Sequence, residues 1–459
     1  MTYVRRDIWS LDPNDPIVTG YAQAVETMQQ RDPDDPTSWA YQAAMHGSYS
    51  TPPLDLWNTC EHGTWYFVAW HRMYLFFFER IVRAAVVANK GPEDWALPYW
   101  NYTPPEGNKT LPAAFRDQGS PLYVWERRIT PFDVNAGDPL PDAVVSTKVA
   151  LNTPTFVPTG LPITGFGGQV TAPVHFNTGF GALESVPHNV VHDALGGTYG
   201  WMADPNFAAQ DPIFWLHHAN IDRLWAEWNA NDPGHTDPTN AAWAAQPFEF
   251  YDETGTKRTM LVRVIEDTRA LDYTYDPAPG SAKVEVSRMT EPPPGPAEIV
   301  GATAEPVVLT GGHATSTVPI DVRSRDAVLA ETAAGAPRQV LLSLDDITAA
   351  KNPGTVYGVY VNLPDGTSDA DAATYLAGPL SFFGIEGSEG RADGSDHTHN
   401  YAAGFDITDL VGALTARGEW DGERVAVTFH PLGVPLGTEP AAEDGLPAVT
   451  VGRISVHYA

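Results

Sequence analysis

A single cysteine, Cys60, among 459 residues rules out any intrachain disulfide, so packing alone must stabilise the chain. Basic residues are also scarce. Against 57 Asp and Glu there are only 27 Lys and Arg, a net charge of −30. Such a surface repels nucleic acid and anionic lipid and leaves small molecules or another protein as partners. No apolar run approaches the roughly 20 residues that cross a bilayer. Arg5-Arg6 is followed by Asp7, Trp9 and Asp12 rather than by an apolar stretch, so no export signal is read and the chain is expected to be cytoplasmic as encoded, export depending on a partner if it occurs.

Aromatic residues are plentiful, and they are concentrated. Thirteen of the 14 tryptophans precede residue 285, Trp420 being the exception. The length exceeds what one hydrophobic core organises, which predicts two domains. Trp65 to Asn89 is an apolar, aromatic run with Arg72, Glu79, Arg80 and Arg83 at helical intervals, and Asp211 to Asn229 has the same character, so both read as buried helices among long Pro/Gly/Asn loops. Residues 290–305, "TEPPPGPAEIVGATAE", cannot continue a helix through their prolines and read as a linker. Beyond it the pattern alternates with period two in "RQVLLSLDDI" (338–347), "VYGVYVNL" (356–363), "RVAVTFHPL" (424–432) and "VTVGRISVHY" (449–458), which predicts a small antiparallel sandwich or barrel. The expected organisation is a mainly α domain over 1–289, the linker, and an all-β sandwich-like domain over 306–459.

Eight of the 14 histidines lie between His46 and His218, and six form two sets. In the first, His46, His62 and His71, the last two are nine residues apart, so they share one side only if the chain bends near His62, where Gly63 permits it. In the second, His188, His192 and His218, the motif "PHNVVHDAL" spaces two imidazoles at i and i+4, on one helical face about 6 Å apart, with Pro187 suited to a first helical turn. Three neutral imidazoles per ion suit copper, zinc or iron, and spacing does not choose among them. A lone pair of histidines is as often a hydrogen-bonded feature of a core, but two triplets in aromatic helices are not.

"CEHGTWYFVAWHRMYLFFFER" (60–80) and "DPIFWLHHANIDRLW" (211–225) resemble the two copper signatures of the tyrosinase and polyphenol oxidase family of type 3 copper proteins. "YVRRDIWSL", "DWALPYWNY" and "LDYTYD" resemble other family segments, extending the likeness across most of residues 1–285. The resemblance implies a four-helix bundle holding two copper ions, one on His46, His62 and His71 and the other on His188, His192 and His218. It selects His218 over His217 because Asp222 follows at the family spacing, leaving His217 a supporting or packing residue. It implies a thioether between Cys60 and the ring of His62, against the plainer alternative of a buried thiol. It implies a phenol oxidase that uses dioxygen to hydroxylate monophenols at the ortho carbon, to oxidise catechols or o-aminophenols to quinones, or both. Glu184 and Asn189 match the pair that holds a proton-accepting water in tyrosinases, and Asp193 matches a position facing the mouth of the site, where a carboxylate on so acidic a protein would favour amine-bearing phenols over tyrosine. The β domain resembles the shielding domain of latent relatives, and a separate copper-delivery protein is a further expected partner. Phe382 and Phe383 read as core-strand residues rather than as a plug, and His397 and His399 as a solvated loop rather than as a copper-handling pair. An oxygen carrier or a zinc hydrolase using Glu61 or Glu184 as base would be the competing readings.

Overall fold

The computed structural model describes residues 2–103, 107–128, 131–158, 164–280, 297–325, 339–385, 401–438 and 446–458. The chain divides into two compact units, Met1–Val157 with Phe166–Ser287, and Pro158–Gly165 with Arg288–Ala459.

The first unit is helical. Its principal helices are α1 (Pro16–Gln29), α2 (Trp39–His46), α3 (Phe67–Ala88), α4 (Val190–Gly196) and α5 (Pro212–Asn231). Their starts follow from local chemistry: Asp15, Ser38 and Asp211 each accept a first-turn N–H at the N-cap, and Pro16 and Pro212 occupy first-turn positions where no N–H is needed. The aromatic runs bury themselves against each other. Phe78 of α3 stacks on Trp215 of α5, ring centroids 3.3 Å apart and planes within 6°. Short strands β1 (Tyr3–Arg6), β2 (Pro247–Tyr251), β3 (Lys257–Leu261) and β4 (Tyr273–Asp276) complete the unit, β2 pairing with β3 and β1 running parallel to β4. No helix among the described residues is long and apolar enough to cross a membrane.

The second unit is built from β5 (Glu298–Ala302), β6 (Val307–Leu309), β7 (Ala314–Pro319), β8 (Val340–Ala349), β9 (Tyr357–Val361), β10 (Leu376–Leu380), β11 (Tyr401–Asp406), β12 (Arg424–Pro431) and β13 (Val449–Tyr458). They form an antiparallel sheet β10-β9-β12-β7 and another of order β11-β8-β13-β5 with β6 also on β13. All four expected period-two runs are strands. The expected linker is shorter than read, because residues 298–302 pair as β5 with β13. The prolines stop at Pro296, and "EIVGA" supplies β-branched residues that a sheet accepts. Phe382 and Phe383 are fully buried as expected, but in the turn after β10 rather than in a strand, with Phe382 against the Tyr357 ring. His397 and His399 lie outside the described residues.

A buried ionic cluster ties the ends of the first unit to its central helices. Arg5 of β1 donates to Glu79 at 2.7 Å and to Asp222 at 3.0 Å, Arg72 pairs with Asp222, and Arg83 pairs with Glu79. Tyr273 and Tyr275 of β4 donate their hydroxyls to Asp222, and Arg5 lies over the Tyr273 ring. Burial alone would push the Asp222 carboxyl up, but Arg72 and Arg5 outweigh it and hold it below the ordinary value. Its stabilising contribution is therefore complete above pH about 4 and lost as pH falls through its native pKa. Replacing Asp222 by Asn leaves the buried Arg72 guanidinium without its carboxylate and Arg5 with Glu79 alone, and should lower unfolding free energy by about 3 to 5 kcal/mol. Urea unfolding at neutral pH checks this, and a loss below about 1 kcal/mol, the value of an exposed pair, would contradict it.

Candidate metal centre

Four helices and two bends bring the histidines together. His46 is the last residue of α2, and His71 lies in the second turn of α3. His62 precedes α3 across a turn at Gly63, whose φ of +64° suits glycine and where a Cβ would strike the Asn177 carbonyl. The bend expected there is present, and it swings His62 back to His71. Ring centroids in this trio lie 5.0, 5.7 and 5.1 Å apart.

The second trio depends on a break of a different kind. Residues Glu184–Asn189 form an irregular turn ahead of α4, interrupted at Val186, whose φ of −145° and ψ of 119° are extended. Pro187 stands just after this break, in the position predicted for it, and His188 and His192 face the same side, 4.6 Å apart. His218 of α5 completes the set at 4.8 and 5.5 Å. The trios adjoin, since His71 stacks on His218 at 4.6 Å and 17°, and His62 lies 5.8 Å from His188. Phe214 packs against His46 and His218, Phe67 against His71 and His188, and Phe176 against His62, which closes the pocket with rings.

Hydrogen bonds on one ring nitrogen aim the other. Nδ1 of His46, His71 and His192 meets the carbonyls of Pro205, Phe67 and Met202 at 2.9, 2.8 and 2.7 Å, and Nδ1 of His188 meets Oδ1 of Asn189 at 2.7 Å. A carbonyl fixes Nδ1 as the donor, so Nε2 carries the lone pair. Nε2 of His46 and of His71 is buried with no hydrogen-bond partner among the described residues. Nε2 of His218 lies 3.3 Å from Nε2 of both His188 and His192. Two imidazole nitrogens about 2.0–2.1 Å from one ion in tetrahedral array stand about 3.4 Å apart, so the spacing fits a metal ion. Burial pushes all six imidazoles below the ordinary histidine value, to about 3 for His71 and His192, which keeps them neutral as ligands must be. His217 also belongs to this cluster: one ligand atom from each of His188, His192, His217 and His218 lies within 4.8 Å of the others. A dinuclear, all-imidazole site of this kind is the centre of a type 3 copper oxidase.

The remaining expected residues fall in different places. Cys60 is buried with Sγ 3.1 Å from Nδ1 of His62. Its sulfur also meets Nδ1 of His175 at 3.2 Å, a neighbour the sequence did not advertise because His175 sits in a loop without helical or strand spacing. Glu184 is buried and receives the Gly63 N–H on both carboxylate oxygens, at 2.9 and 3.1 Å. Burial raises its pKa well above the ordinary carboxyl value. Nδ2 of Asn189 is buried with no hydrogen-bond partner among the described residues. Asp193 is 0% exposed, which departs from the open mouth expected for it. The Arg128 guanidinium donates to the backbone carbonyls of Asp193 and Ala194, which fastens the 126–128 segment to this end of α4. The expected preference for amine-bearing phenols needs an exposed carboxylate, which Asp193 does not offer.

Comparison with known proteins agrees with this geometry. The family model described as the common central domain of tyrosinase matches residues 36–231, and a model of a domain of unknown function matches 296–459. Tyrosinase HcTyr1 of Hahella sp. (strain CCB-MM4) is 33% identical over 99% of this chain and 98% of its own. The chloroplastic polyphenol oxidase of Malus domestica is 28% identical over 96% of this chain and 75% of its own. The structure of latent apple tyrosinase superposes over 100% of this chain and 97% of its own, with a TM-score of 0.63 at 23% identity, a likeness of fold. The chain belongs to the tyrosinase and polyphenol oxidase family. It is a type 3 copper enzyme that oxidises phenols with dioxygen.

The low imidazole pKa values have a consequence for the metal-free protein. Its folded state holds fewer protons than the unfolded chain, whose histidines titrate near 6.5. Stability is therefore full above about pH 6.5 and falls as the pH drops toward 3. Urea midpoints of copper-free protein should decline steadily between about pH 7 and about pH 5. An unchanged midpoint would mean that the imidazoles are not buried in neutral form.

Proposed function

We propose that the enzyme hydroxylates monophenols as well as oxidising the resulting catechols, with copper held by His46, His62 and His71 on one side and by His188, His192 and His218 on the other. The observation that carries the monophenol reading is the placement of Glu184 and Asn189. Glu184 is fixed to Gly63, directly after His62, and Asn189 to the ring of His188, so the two flank the seam between the trios. The unpartnered Nδ2 of Asn189 supplies a donor for a water, and the carboxylate of Glu184 an acceptor. A phenol with a pKa near 10 must lose its proton to react, and a water held by this pair passes it to Glu184. Burial makes Glu184 a stronger base once ionised. When bound, the copper pair supplies the two-electron exchange with dioxygen, for an overall conversion of monophenol and O2 to o-quinone and water. Phe67, Phe176 and Phe214 keep bulk water from the rings.

The sulfur of Cys60 beside His62 supports a thioether to that ring, formed with loss of one hydrogen from each partner and dioxygen as oxidant. Such a bond would hold the imidazole in one orientation. The β unit is proposed to keep the enzyme latent, on the likeness to latent apple tyrosinase, and a copper-delivery protein is proposed to load the buried site.

The test uses copper-loaded protein, full-length and cleaved within residues 290–297. Cleaved wild type should turn over a simple monophenol faster than the full chain. Glu184→Gln should reduce monophenol turnover about a hundredfold, the lower range for a positioned proton acceptor, and reduce catechol turnover far less. Equal losses on both substrates would make Glu184 structural. Turnover of catechol or o-aminophenol alone by the wild type would make the enzyme a catechol oxidase. The tryptic peptide 32–72, which contains both Cys60 and His62, should be lighter by two hydrogens after copper loading, and a free Cys60 thiol would remove the thioether.

A further inference from the structure

We propose that His217 is a fourth copper ligand of the His188, His192 and His218 site, a reserve imidazole that holds the ion when His218 does not. The inference rests on the ligand assignment above and adds a residue to it. The centroid of the His217 ring lies 5.4 Å from His188, 5.0 Å from His192 and 5.3 Å from His218. The three assigned ligands stand 4.6 to 5.5 Å from one another. His217 is thus no more distant from the trio than the trio is from itself, and it offers a nitrogen inside the same 4.8 Å cluster.

Its hydrogen bonding points the same way. His217 is 0% exposed, and neither ring nitrogen makes a hydrogen bond among the described residues. The Tyr102 ring lies 5.8 Å away. A fully buried imidazole without a partner is costly, and a metal ion that accepts its lone pair removes that cost.

The contrast within the cluster explains how two ligands can alternate. Nδ1 of His188 and His192 is pinned by Asn189 and Met202. Nδ1 of His218 has no partner among the described residues, and His217 has none on either nitrogen. The two rings that follow one another on α5 are therefore the ones in this cluster that no hydrogen bond on Nδ1 fixes among the described residues, and both offer a nitrogen to the same cluster. With Nε2 of His218 at 3.3 Å from Nε2 of both pinned ligands, His218 is the ligand in the arrangement the structure shows, and His217 would receive the ion during loading or release.

Copper per chain, measured by mass spectrometry after exhaustive dialysis of the full-length protein, tests this with His188→Ala, His217→Phe, His218→Ala and the His217→Phe/His218→Ala double variant. Far-UV circular dichroism of each copper-free variant confirms folding, and Phe keeps the ring volume at 217. The expected result is that His218→Ala retains most of its second copper and the double variant loses it. His217→Phe alone should keep both ions but release one to a chelator about tenfold faster, the scale on which loss of a supporting group weakens metal sites. Equal copper content in His218→Ala and the double variant would overturn the proposal. Failure of the ligand assignment would look different: wild type would bind fewer than two ions, or His188→Ala would keep both.

Discussion

The metal centre depends on one repeated constraint, a hydrogen bond to Nδ1 that leaves Nε2 facing inward. Pro205, Phe67 and Met202 provide it with backbone carbonyls and Asn189 with its side chain. These acceptors come from a loop beyond α4, from one turn earlier in α3, and from a residue adjacent to its histidine, so the constraint is distributed over the whole helical unit. A ring held at one nitrogen loses most of its freedom to turn, and the lone pairs converge before any ion arrives. Preorganisation of this kind lets a site bind metal without reordering its ligands.

The ionic cluster serves the same end from the outside. Arg72 follows His71, and Asp222 lies one helical turn after His218, so their pairing joins α3 to α5 right behind the two stacked rings. Buried ion pairs recover little net stability because desolvation offsets their attraction. Their value here is positional. Asp222 receives Arg5, Arg72, Tyr273 and Tyr275 at once, and a carboxylate so surrounded has one arrangement in which all its partners are satisfied. Strands β1 and β4, from opposite ends of the unit, are thereby locked to the helices that carry the metal ligands.

Periodicity made the long elements legible. The aromatic runs in α3 and α5 were read to within two residues at each end, since buried helices of this length leave a strong pattern. The histidine sets were legible from residue type and family signature together. The bends were legible in the local sequence: Gly63 announced a turn, and Pro187 disfavours helical backbone in the residue before it, which is where Val186 is extended within "ESVPHN". Partnerships across the chain were not legible at all. The grip of Gly63 on Glu184 spans 121 residues, and the bond of Arg128 to the Asp193 carbonyl spans 65. The reading of β5 as linker failed for a simpler reason, because one proline-rich stretch masked the short β-branched run that follows it.

What the interior does with charge follows from these placements. In the metal-free state burial keeps the imidazoles neutral, holds Glu184 toward its protonated form and pushes Glu61 up to about 8, with Glu61 anchored by the Thr64 hydroxyl and the Val174 N–H. Burial thus disfavours charge on these imidazoles and carboxyls. Two bound cations reverse that balance, because a metal ion is the largest local charge in its site and favours ionised carboxylates nearby. On the proposed reading, bound copper would bring Glu184 toward the ionised state in which it can accept a proton. Metal loading and activation of the proposed base would in this sense be one electrostatic change, coupled by the low dielectric that makes each buried charge costly.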